Sequence, residues 1–267
     1  MSDILQYAFF QRALLGVALI SVAAAIIGTY IVARRLVAIS GGITHACFGG
    51  LGLGYFMGIN PLITATIFAI GASAGVEWLA ARQKMREDSA IAVVWALGMA
   101  IGIIFVFLTP GYVPELNTFL FGNVLTISPA DLWTFGIFTT LLLIFFAAFY
   151  RWILACAFDR DFARVMHIPV RFISYSMTIL IAVCIVLTIR LVGIMLLMSM
   201  IAMPQLIAET FCRRFPTMML ASAAISLACS VSGLMLSSVI NVPCSALIVV
   251  VMTVAYAVAR ILPRNGR

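Results

Sequence analysis

"ALLGVALISVAAAIIGTYIVARRLVAISGGITHACFGGLGLGYFM" (residues 13–57) decides the fold. Two uncharged runs flank the basic pair Arg34 and Arg35. Each run is roughly 20 residues long, enough for one helix to cross a hydrocarbon core of ~30 Å. Neither run has the polar face that a helix at a water-facing surface requires. A chain segment in lipid must satisfy its backbone polar groups internally, so each run is predicted to be a transmembrane helix.

The rest of the chain repeats this pattern. Of 267 residues, 64% are hydrophobic and 9% are charged, whereas water-soluble domains carry about 25% charged residues. Apolar runs fall near 13–33, 37–57, 61–80, 90–109, 130–150, 172–189, 193–211, 216–236 and 243–261. Only Arg190 separates the two runs between 172 and 211, so eight spans plus one flat or re-entrant run stays open beside nine. The expectation is an all-α, polytopic, multi-pass integral membrane protein with 8–9 transmembrane helices in a single transmembrane domain, 1–267. The segment "MSDILQYAFFQR" lacks the pattern of a cleaved signal peptide.

A net charge of +7 raises the possibility of nucleic-acid binding. The basic residues instead lie in short clusters between apolar runs, as a membrane topology signal does, and no nucleic acid is expected as a partner. With nine spans and the N-terminus outside, the inner segments hold Arg34 and Arg35; Arg82, Lys84 and Arg86; Arg151, Arg160, Arg164 and Arg171; Arg213 and Arg214; and Arg260, Arg264 and Arg267. Only Arg12 and Arg190 fall outside. This asymmetry predicts an N-out, C-in chain.

Two connections are long. The outer one, "PGYVPELNTFLFGNVLTISP" (110–129), is predicted to cap the outer mouth as a short helix or re-entrant turn. It ends in Ser128, Pro129 and Asp131, an N-cap, a first-turn proline and a third-position carboxylate that announce the next helix. The inner one, "RWILACAFDRDFARVMHIPVR" (151–171), contains an amphipathic stretch predicted to be one helix over about 157–168. Phe158, Phe162 and Val165 or Met166 share one face of it, with Asp159, Arg160, Asp161 and Arg164 on the others. A helix lying on lipid and a helix docking to a protein both fit. The local balance of acid and base favours docking, since lipid-surface helices are usually rich in Lys and Arg.

Several chemistries are excluded. A phosphate-binding loop needs GxxxxGK[ST], and the single lysine, Lys84, precedes Met85. There is no HExxH and no CxxC. The six cysteines form no framework and read as buried small hydrophobes. Met195, Met198, Met200 and Met203 fall on several helical faces and read as packing. Any pumping energy must come from another chain.

His45 lies mid-run with Ala38, Gly41, Gly42, Gly49 and Gly52 on its helical face and Thr44 beside it. This small-residue face admits a close helix partner or leaves open space at the imidazole. A histidine at this depth either bonds across a tight helix contact or serves a cation or proton pathway. Glu77 and Glu209, near inner span ends, read as interfacial or helix-pairing groups. Gln205 follows Pro204, which removes one backbone hydrogen bond and bends the helix beside the same candidate pathway.

Four motifs in order resemble one family, the membrane permease subunits of bacterial ABC importers for zinc, manganese and iron. "GTYIVARRLVAISGGITHACFGGLGLGYFMGINPL" (28–62) resembles its basic pair, Gly-Asp-x-x-Ser-His-Ala motif, glycine-rich stretch and Asn-Pro. "FLFGNVLTIS" (119–128) resembles its outer-loop signature, "AFDRDFARVMHI" (157–168) its coupling helix and "LVGIMLLMSMIAMP" (191–204) its Val-Gly…Pro span.

The resemblance implies a type II ABC importer permease fold in the bacterial cytoplasmic (inner) membrane, and a homodimer with its pore on the two-fold axis. It implies a separate ABC ATPase subunit that binds ATP and docks on Phe158, Asp159, Asp161, Phe162 and Arg164. An extracytoplasmic metal-binding protein would deliver the ion. No cofactor would be bound permanently; the cargo is a divalent metal ion, with zinc ahead of manganese and iron. The family's histidine maps onto His45, its serine onto Thr44 and its aspartate onto Gly41, so one acidic ligand is missing here. Gln205 completes the candidate pathway set. The competing expectation is a stand-alone secondary transporter coupled to protons or cations through His45.

Overall fold

In a computed structural model describing residues 6–82, 85–110, 122, 124–240 and 242–261, each apolar run is one helix. In chain order these are α1 (Ala8–Ala33), α2 (Val37–Met57), α3 (Pro61–Arg82), α4 (Glu87–Leu108) and α5 (Pro129–Ala148), then two short helices, α6 (Tyr150–Phe158) and α7 (Arg160–Val165). The chain continues with α8 (Val170–Val192), α9 (Ile194–Phe211), α10 (Phe215–Ile240) and α11 (Cys244–Ile261). Among the described residues, nine helices are long and apolar enough to cross a membrane. The uncertain pair near 190 resolves into α8 and α9. Gly193, with φ of 80° in the left-handed region, separates them and is the N-cap of α9.

The chain divides into two compact units: 33–115 with 144–187, and 1–32 with 116–143 and 188–267. In the first unit, α2 packs against both α3 and α4. Lipid tails are as apolar as leucine, so association here rests on close van der Waals contact, which small residues permit. Two glycines that share a face with His45, Gly49 and Gly52, come against Gly98 and Gly102 of α4. A Cβ on Gly52 would run into the backbone of Gly102, and one on Gly98 would sit 2.6 Å from Ala46 Cα. The face is therefore occupied by a helix.

In the second unit, α9 packs against α10 and α11. The buried side of α10 carries Ser222, Ser226, Cys229, Ser230 and Gly233, and Ser226 Oγ lies 3.1 Å from Ser21 Oγ of α1. Among the described residues the six cysteines form no disulfide.

The start of α5 is built as its sequence foretells. Ser128 Oγ accepts from the Asp131 amide at 3.2 Å, and Asp131 Oδ2 accepts from Ser128 N at 3.2 Å and Oγ at 2.7 Å. The other carboxylate oxygen pairs with Arg190 Nε at 2.7 Å, and Asp131 is only 15% exposed. Asp131→Ala removes the capping box and leaves Arg190 without this partner. It is expected to lower stability by about 1–2 kcal/mol, read as a fall in detergent melting temperature that Asp131→Asn only half reproduces. For the outer connection, residues 111–121 and 123 lie outside the described residues; Val124–Thr126 form a 3-10 turn.

Candidate functional site

His45 sits near the middle of α2, half-buried. Its ring lies flat on Trp95 of α4, with centroids 4.7 Å apart and planes 2° from parallel, and Phe48 is 6.1 Å away. Nδ1 is buried and has no hydrogen-bond partner among the described residues. The α2–α4 contact thus holds the imidazole by stacking, with Nδ1 unpaired among the described residues. Trp95 was not among the sequence candidates. Its signal was faint: an aromatic within an otherwise apolar run.

Thr44 is fully buried and donates to Ser40 O one turn back. Ser40 and Cys47 likewise bond backbone carbonyls of their own helix, the local solution open to small polar side chains in a helix. Gly41 is buried on the same helix. His45, Thr44 and Gly41 therefore belong to one helix of the first unit.

Gln205 belongs to the second unit, on α9, and is fully buried. Pro204 cannot donate to Met200 O, and Gln205 Nε2 donates to that carbonyl instead at 3.3 Å, while reaching Ala24 O of α1 at 2.8 Å. Gly28 clears the space: a Cβ there would lie 2.5 Å from Gln205 Nε2. The amide nitrogen thus replaces a bond the proline removes. Oε1 is buried without a partner among the described residues. No group of three or more His, Cys, Asp or Glu suited to a metal occurs among the described residues.

The helix expected over 157–168 is instead an elbow of α6 and α7, broken at Asp159. The cause is local. Asp159 takes an extended backbone, φ −148° and ψ 103°, and its Oδ1 accepts from the amides of Asp161 and Phe162 at 2.9 Å each. It is thereby the N-cap of α7. Phe158, Phe162, Val165 and Met166 are all exposed, between 57% and 74%. Asp161 and Arg164 pair at 2.7 Å in solvent. Four exposed apolar side chains thus lie beside this charge pair.

Arg160 turns the other way. Nη1 donates to Glu87 Oε1 at 2.9 Å; Nη2 donates to Glu77 Oε1 at 3.2 Å and to Ser174 Oγ at 3.2 Å. Arg34 also binds Glu87 at 2.9 Å. One guanidinium thus ties the elbow to α3, α4 and α8, and through Glu87 to the Arg34 turn that leads into the His45 helix. Sequence spacing gave no sign of this, since the partners lie 73 and 83 residues away. Glu77 is a helix-pairing group, as its position suggested.

The ABC 3 transport family matches the chain over residues 6–262. An uncharacterised membrane protein of Synechocystis sp. is 36% identical, with 97% of this chain and 92% of the relative covered. The manganese transport system membrane protein MntC of Halalkalibacterium halodurans is 30% identical, with 99% and 91% covered. Among solved structures, PsaBC from Streptococcus pneumoniae in complex with Fab superposes with a TM-score of 0.85 at 24% identity, covering 99% of this chain and 95% of that one. That likeness is one of fold, and the fold is that of the ABC permeases.

Proposed function

This chain belongs to the ABC 3 transport family, and from that premise we propose that it is the permease subunit of an ATP-driven importer of a divalent metal ion. A transport subunit of this family is not itself an enzyme. The observation that carries the proposal is the α6–α7 elbow: exposed Phe158, Phe162, Val165 and Met166, anchored to the spans by Arg160. A chain with no phosphate-binding loop needs such a surface to receive the work of an ATPase on another chain.

In this reading the ATPase subunit docks on Phe158, Asp159, Asp161, Phe162 and Arg164 at the cytoplasmic face of the bacterial inner membrane. Two copies of the permease form the pore, and an extracytoplasmic metal-binding protein feeds its outer mouth. His45 offers its unpartnered nitrogen to the passing ion. Thr44 and Gly41 lie on the same helix as His45. With Gly41 where the family resemblance places an aspartate, the site holds the ion weakly, which suits conduction. The relatives from Listeria innocua and Halalkalibacterium halodurans are named manganese transport system membrane proteins, so manganese is tested first, then zinc and iron. The family match does not favour the competing stand-alone secondary transporter.

The test is uptake of manganese, zinc and iron into vesicles holding the permease and its ATPase. His45→Ala is expected to lower uptake about tenfold, the effect of losing about 1.4 kcal/mol of ion stabilisation along the path. Phe158→Ser with Phe162→Ser is expected to weaken ATPase binding on the order of tenfold or more. Uptake that continues without the ATPase and collapses with a protonophore would replace this reading with the secondary transporter.

A further inference from the structure

The elbow that carries Arg160 also closes one side of a cavity of about 690 Å³ in the first unit. Its charged lining is four arginines, Arg82, Arg160, Arg164 and Arg171, against Glu77 and Glu87. The carboxylates are already engaged: Glu77 binds Arg160, and Glu87 binds Arg160 and Arg34. Arg164 is held by Asp161. Arg82 and Arg171 make no ion pair among the described residues and are both exposed. The cavity therefore presents two guanidinium groups with no carboxylate to answer them.

Its position narrows what answers them. Arg82 ends α3 and Arg171 lies in the first turn of α8, so both stand where a span leaves the hydrocarbon. Trp78, 47% exposed, and Tyr175 also line the cavity. Such amphipathic rings prefer the depth of lipid headgroups. The asymmetry of basic residues puts this end on the cytoplasmic side, where the leaflet is anionic. A guanidinium fork matches two oxygens of a phosphate group, and the volume falls in the range that admits a headgroup.

We propose that this cavity binds the phosphate group of an anionic phospholipid of the inner leaflet, with Arg82 and Arg171 as its ligands. The site rests on the fold and the sidedness of the chain, independently of which ion is transported. A soluble phosphate shares the chemistry; the lipid is favoured because the cavity opens between two span ends beside an exposed tryptophan.

The experiment uses the full chain in detergent, exchanged with mixed phosphatidylcholine and phosphatidylglycerol, with retained lipid counted by native mass spectrometry. The chain is expected to retain phosphatidylglycerol over phosphatidylcholine. Each of Arg82→Ala and Arg171→Ala is expected to weaken that preference about fivefold. Arg82→Lys with Arg171→Lys is expected to keep most of it, which separates lost charge from lost folding. Equal retention of the two lipids, or unchanged selectivity in the double alanine variant, overturns the proposal. Full displacement by inorganic phosphate without lipid selectivity assigns the site to a soluble anion and overturns the lipid. ATPase binding lost in the double alanine variant while lipid retention stays the same assigns the arginines to the protein partner, and likewise overturns it.

Discussion

Gly52→Val is expected to deplete the folded protein more than any other single substitution considered. A Cβ at residue 52 would meet Gly102 O and approach its Cα at 2.9 Å and its carbonyl carbon at 3.0 Å. All three atoms are backbone, so no rotamer change relieves the clash, and the two remaining methyl carbons of valine add to it. α4 must move away from α2, and with it goes the stacking of Trp95 on His45. Overpacking a close contact costs about 1–3 kcal/mol, occasionally more, against a total stability of about 5–15 kcal/mol. Size-exclusion profiles after heating in detergent should show a melting point lower by on the order of 10 °C. Gly71→Ala and Gly75→Ala are the internal controls. Nothing lies within 4 Å of a Cβ at either position, and both sit inside α3. Each is expected to be neutral or to stabilise by up to about 1 kcal/mol. Equal losses at all three positions would show that glycine content, rather than the α2–α4 contact, matters.

Arg160→Ala is expected to have the second largest effect, and on a different quantity. It frees Glu77 from its ion pair and leaves Glu87 with Arg34. The carboxylates keep 12% and 28% exposure and Arg160 27%, so solvent softens the loss to about 1–2 kcal/mol. The larger consequence is mechanical. The elbow loses its tie to α3, α4 and α8; in the proposed importer, movement of a docked ATPase is then expected to stop reaching the spans. ATP-driven metal uptake is expected to fall at least tenfold, as when a positioning residue is removed, while the ATPase still binds through Phe158 and Phe162. Arg160→Lys is expected to recover little, since one ammonium does not reproduce the guanidinium's fork of three contacts. Uptake unchanged in Arg160→Ala would remove the transmission role. Loss of ATPase binding in the same variant would move Arg160 from transmission to docking.

Much of the molecule was legible from local rules. A run such as 37–57 has one low-energy form in lipid, because its backbone groups find partners only within the helix. The capping box at Ser128 and Asp131 was equally plain, being a contact between residues three apart. The elbow shows where local reading failed. The helical spacing of Phe158 and Phe162 suggested one continuous helix, yet the Asp159 carboxylate competes for the amides of the following turn and breaks it. The site was less legible still. Gln205 reads as a polar group beside a bend, but only folding brings its amide to Ala24 O, 181 residues away.

By itself the sequence determined the spans and the absence of an ATP-binding loop, because hydrocarbon thickness and motif spacing act on contiguous residues. Only the tertiary structure decided that the glycine face beside His45 is filled by α4, that Trp95 carries the imidazole, and that Arg160 faces inward to Glu77 and Glu87. Those outcomes depend on which helices meet. Close packing and long-range ion pairs join residues that the chain keeps far apart.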